Sequence, residues 1–112
     1  RLEILNGSHI NASSLVYDLE IGELGGSEGE IVVDGQGAQL TARGGVAGIA
    51  VGRSGSGVLR ILNGGQVSTS PVYGEIASNT GSTGYVEVSG KATDGTPSTF
   101  SAPSTSCSNP GN

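Results

Sequence analysis

Four short stretches of the chain alternate apolar and polar residues in the same way: LEILNG, IVVDG, LRILNGG and VEVSG. Their first apolar residues, Leu2, Ile31, Leu59 and Val86, follow one another at intervals of 29, 28 and 27 residues. In an extended strand successive side chains point to opposite faces, so a period of two marks a half-buried strand. Leu2 and Ile4, Ile31 and Val33, Leu59 and Ile61, and Val86 and Val88 therefore share one face, predicted to be inward. Glu3, Val32, Arg60 and Glu87 take the opposite, outward face. Spacing near 28 residues points to a repeat architecture.

Each unit runs on past its Asn or Gly turn into a second short run, HINAS, AQLTA, QVSTS or STFSA, and three units add a third, YDLEIG, GIAVG or YGEIAS. Three short strands per unit predict one coil. A coil cannot bury its inward face alone, but coils stacked at about 4.8 Å share one continuous apolar column. Stretches such as GSEGEIVVDG, GSGVLRILNGG and GSTGYVEVSG then read as the punctuation of this repeat. Gly29, Gly57 and Gly84 are predicted to sit just before the first strand of their coils, at points of positive φ or close backbone approach.

Composition narrows the fold class. A chain of 112 residues holds one domain. With three Tyr, one Phe, no Trp and no Met, a helical core of ordinary kind is hard to fill, and 21 Gly imply dense turns. The glycines follow no three-residue period, which excludes collagen, and the regular Val, Ile and Leu exclude plain disorder. Residues 1–102 read as repeats and 103–112 as a polar tail. The chain starts inside a strand and lacks both a signal-peptide core and an initiator Met, so it reads as a mature product or a fragment.

Charge and candidate chemistry come next. Five Lys and Arg against ten Asp and Glu give a net charge of −5. That is the wrong sign for a phosphate backbone, so no nucleic-acid partner is expected. The acids are scattered singly, as on solvated faces, and no stretch approaches the roughly 20 apolar residues of a membrane span. With coils in register, Arg60 and Glu87 are neighbours on the outward ladder and form a surface ion pair. A polysaccharide-cleaving site would need clustered carboxylates, which this pattern does not bring together. VDGQG resembles calcium-binding glycine repeats but occurs once, without the serial aspartates. His9 is the single histidine, so no Ser-His-Asp or His-rich metal set can be assembled, and it is expected on a strand surface. Cys107 is the single cysteine, which excludes a disulfide within the chain and leaves a free thiol or a link between chains. NGS at Asn6 and NAS at Asn11 match glycosylation sequons. No catalytic, cofactor-binding or metal-binding residue is assigned, no cofactor is expected, and the protein reads as a non-enzyme.

IGELGGSEGEIVVDGQGAQL, VGRSGSGVLRILNGGQV and IASNTGSTGYVEVSG resemble the repeats of bacterial autotransporter passenger domains and of PEP-CTERM-associated surface proteins. The shared pattern is Ile-Gly, three variable residues, Gly-Ser-x-Gly, an alternating strand, and then Ser-Gly or Asn-Gly-Gly. It covers residues 2 to about 100. Ala77 stands where the pattern has Gly, the second copy is shorter before its Gly-Ser, and KATDGTPS lengthens the turn before Phe100. The resemblance implies an all-β, right-handed parallel β-helix of about four coils, displayed outside the cell or on a bacterial surface. It implies a structural, adhesive role in surface contact or self-association. Expected partners are other copies or adjoining repeats joined end to end, and surface glycans or proteins. The alternatives are a self-assembling extracellular fibre subunit and, less favoured, a carbohydrate-active enzyme.

Overall fold

The computed structural model describes residues 1–13, 17–43, 47–70, 74–77, 79–101 and 105–107. These residues form twelve strands and no helix, so the chain is all-β. Taken in chain order, the strands form four successive groups of three, here called tiers. The first holds β1 (Leu2–Leu5), β2 (His9–Ser13) and β3 (Tyr17–Ile21), and the second β4 (Glu28–Asp34), β5 (Gln39–Arg43) and β6 (Ala47–Val51). The third holds β7 (Ser56–Leu62), β8 (Gln66–Ser70) and β9 (Gly74–Ile76), and the fourth β10 (Thr83–Ser89), β11 (Thr99–Ser101) and β12 (Thr105–Cys107). Each strand pairs with the strand three along, which makes three parallel four-stranded sheets: β1-β4-β7-β10, β2-β5-β8-β11 and β3-β6-β9-β12. Pairing thus reaches into 103–112, the segment read from composition as a tail; 103–104 and 108–112 lie outside the described residues.

The first sheet keeps the register of the sequence alignment. Leu2, Ile31, Leu59 and Val86 form one row, and Ile4, Val33, Ile61 and Val88 another. Burial along these rows is uneven. Ile4, Ile31, Val33, Leu59 and Ile61 are buried, whereas Leu2 and Val88 are 40% and 44% exposed and Val86 is half-buried. Leu2 and Val88 lie on strands paired on one side only, although Ile4, also on β1, is buried. Val32, on the outward face, is nevertheless only 4% exposed. Its row neighbours are Glu3 and Arg60.

The second sheet adds the row Ile10, Leu40, Val67 and Phe100, and the third adds Ile21, Val51 and Ile76 beside Leu19 and Ile49. Ile21, Leu40, Ile49, Val51 and Val67 join the buried residues of the first sheet in one apolar cluster, against which Ile10, Leu19, Val86 and Phe100 pack. Full burial of each Val, Leu or Ile contributes about 1.5–3 kcal/mol. That spacing of small and branched side chains explains how a chain with four aromatic residues fills its interior.

Gly29, Gly57 and Gly84 lie inside β4, β7 and β10, at the second residue, and not ahead of them as the sequence suggests. Their φ angles are not positive; close approach alone explains them. A Cβ on Gly57 would strike the amide nitrogen of Gly52, and one on Gly84 would come within 2.5 Å of the Val51 carbonyl oxygen. Positive φ belongs to the turns between strands, among them the corners that close the first three tiers, Gly22 at +68°, Gly52 at +72° and Ala77 at +53°.

Candidate functional site

The outward face of the first sheet carries a continuous ladder of charge. Arg60 donates from Nε to Glu30 Oε2 at 3.0 Å and from Nη1 to Glu87 Oε1 at 2.8 Å. Arg1 reaches Glu3 at 2.8 Å and Glu30 at 3.5 Å. The alternation of acid and base therefore runs Glu3, Arg1, Glu30, Arg60, Glu87 across all four tiers. The sequence reading finds the Arg60–Glu87 neighbours but misses Glu30, which sits two residues before Val32 in the same strand and leans toward Arg60. The Arg60 guanidinium also lies 5.6 Å from the centroid of the Tyr85 ring.

The hydrogen bond from Arg60 holds the Glu30 carboxyl below the usual glutamate range, with the charges of Arg1 and Arg60 adding to it. The same bond to Glu30, and then that to Glu87, holds the Arg60 guanidinium above its ordinary value. A general acid needs a carboxyl whose pKa is raised, so Glu30 is tuned in the opposite direction. The ladder is suited to holding charge in place. A half-buried pair, Arg53 with Glu20 at 3.3 Å, links the corner after β6 to β3.

The outward face of the second sheet differs in kind. Its rows are His9, Gln39, Gln66 and Thr99, and Asn11, Thr41, Ser68 and Ser101. Gln39 donates from Nε2 to Gln66 Oε1 at 3.3 Å, and a shallow trough of about 310 Å³ lies along Thr41, Ser68 and Ser101. His9 is exposed on β2, as its sequence context suggests. This face offers hydroxyl and amide groups at the strand spacing of about 4.8 Å.

A larger open cleft, about 840 Å³, forms where the first sheet turns into the second. In the first three tiers this turn is short; in the fourth, residues 90–98 swing out and back, with Lys91 bridged to Pro97. The excursion lies against earlier turns: Gln36 Nε2 donates to Asp94 Oδ2 at 3.0 Å and Thr93 Oγ1 to Gln36 Oε1 at 3.3 Å. Asp94 Oδ1 accepts from the Thr96 amide at 2.9 Å, and hydrogen bonds from Thr96, the backbone one foremost, hold its carboxyl below the usual aspartate range. Nearby, Asn63 Nδ2 donates to Asp34 Oδ1 at 2.9 Å. The sequence marks KATDGTPS as a long turn; its contact with Gln36, 58 residues before Asp94, is invisible in local pattern.

Asn6 and Asn11, the two sequon positions, are exposed. Cys107 ends β12 beside Ile76 of β9. Among the described residues no three His, Cys, Asp or Glu side chains gather as a metal-binding group, and no helix is long and apolar enough to cross a membrane. Comparison with known protein families, curated proteins and solved structures finds no match.

Proposed function

We propose that the chain winds as a right-handed parallel β-helix of about four coils with three short strands each. We further propose that it serves as a structural, adhesive segment of a surface-displayed protein, as the resemblance to autotransporter passenger repeats implies. The observation that carries this reading is the recurrence of one strand order in all three sheets, each strand pairing with the one three along. Parallel crossovers of this kind are right-handed in nearly all proteins. Such winding turns single side chains into rows, so the outside of the molecule is a set of repeated contact groups on a stiff frame. The first-sheet ladder supports a role in contact over one in catalysis, because Arg60 engages two of its carboxylates. The second-sheet rows of Gln, Thr, Ser and Asn supply a neutral face for hydrogen bonding to hydroxyl-rich or peptide surfaces. The first tier leaves an apolar edge, with Leu2 and Leu5 exposed, to which an adjoining repeat can be added.

The test is retention of the fluorescently labelled chain on bacterial cells and on glycan-coated sensor surfaces. The native chain should be retained above an inert protein control. A variant with Thr41, Ser68 and Ser101 all changed to Glu should lose most of that retention while its circular dichroism stays the same. Retention no greater than the control, or unchanged in the variant, would overturn the role of this face.

A further inference from the structure

The three corners that close successive tiers stand in one column. The Gly52 amide donates to the Ile21 carbonyl at 2.6 Å, and the Ala77 amide to the Val51 carbonyl at 2.9 Å. All three corner residues are in the left-handed region. At Gly22 an added Cβ would strike the carbonyl oxygen of Ser56, the first residue of β7. At Gly52 it would strike the carbonyl oxygen of Thr83, the first residue of β10. The corner of one tier is thus pressed against the carbonyl that opens the first-sheet strand two tiers on. Glycine is required there twice over, by φ and by space.

Ala77 is the third corner, and it carries the methyl group that the other two positions exclude. The strand that its rule refers to would follow β10. Ala77 is wholly buried, and by the geometry of Gly22 and Gly52 its methyl would strike the carbonyl that such a strand brings. β10 itself is a full seven-residue strand with Tyr85 and Val88 exposed, so neither strand length nor burial closes that edge.

The opposite edge carries no such obstacle. Leu2 and Leu5 of β1 are 40% and 47% exposed, and Ile10 of β2 is half-buried. A tier placed on β1 would set its corner residue against the carbonyl of Glu28, the first residue of β4, by the same two-tier rule.

We infer that the stack grows in one direction only: its β1 edge accepts a further repeat, and its β10 edge refuses a full-length one because of Ala77. The partner for the β1 edge is a repeat of this same kind, with an apolar row to lie on Leu2 and Ile4 and a glycine at its corner. This rests on the stacked reading proposed above, and the grafts below separate the two. Residues 28–57 fused directly before Arg1 place a copy of the second tier on the β1 edge in the natural phase. Residues 22–51 fused after Cys107 place the same tier beneath β10. The first fusion should raise the thermal midpoint and slow amide exchange in β1. The second should leave the midpoint and β10 exchange unchanged, and should raise the one and slow the other only when combined with Ala77→Gly. An equal gain from the second fusion with and without Ala77→Gly, or no gain with it, overturns the role of Ala77. No gain from the first fusion overturns the stacked reading itself.

Discussion

Leu59 and Ile61 in β7 are fully buried, whereas Leu2 in β1 and Val88 in β10, which occupy the same two rows, are nearly half exposed. The four residues are alike in type and alike in orientation. What separates them is the number of neighbouring strands, two for β7 and one for each end. Both inward residues of a middle strand are therefore closed, whereas an end strand closes only some of its inward positions: Ile4 of β1 is buried, and Leu2 and Val88 stay open.

The sharpest way to break this comparison is charge. Ile61→Asp places a carboxylate in a closed apolar row, where an unpaired ionised group is strongly disfavoured. The variant should fail to fold at neutral pH, seen as loss of the β signal in circular dichroism. Val88→Asp, one tier down in the same row, should remain folded because its carboxylate reaches water. If both variants melt at the same temperature, the row is not the unit of burial.

Truncation sharpens it further. Leu59→Ala should cost about 2–5 kcal/mol, as core truncations do. Leu2→Ala, at a site already 40% exposed, should cost below about 1 kcal/mol. Urea unfolding of the two variants measures the difference, and near-equal midpoints would remove the distinction between middle and end.

The smallest effect belongs to the charged ladder outside the same sheet. Glu30 has a folded-state pKa below its unfolded value. Its contribution is therefore complete above the ordinary glutamate range and is lost as pH falls through the lowered folded value. Because the pair is exposed, the effect is small and shrinks with salt. Unfolding midpoints recorded over an acid series should fall less steeply for Glu30→Gln than for the native chain, with no difference in slope near neutrality. An unchanged acid slope would show that Glu30 does not report on the ladder.

The candidate contact surfaces were legible to unequal degrees. Arg60 and Glu87 follow from the repeat, because residues at equal phase become row neighbours. Glu30 was not legible, since its partner choice depends on how a long side chain leans between rows. The cleft by 90–98 was legible only as an irregularity: which earlier turn the excursion meets depends on a contact between Gln36 and Asp94 that no period encodes. Val32 shows the same limit from the other side, a position that alternation turns outward and that is nevertheless buried.

The alternation of Leu, Ile and Val at intervals near 28 residues, with glycine between, determined by itself the strands, their inward faces and their pairing register. A one-residue slip would turn every inward side chain outward, so the register is strongly specified. The tertiary structure alone decided which inward residues are closed off, because closure depends on what packs around each position: on β1, paired on one side only, Ile4 is buried while Leu2 is not. It also decided why glycine recurs where it does, assigning close approach to Gly57 and Gly84 and positive φ to Gly22 and Gly52. And it gave Ala77 its meaning, since the carbonyl that demands glycine at a corner belongs to a strand two tiers away, about thirty residues on in the chain.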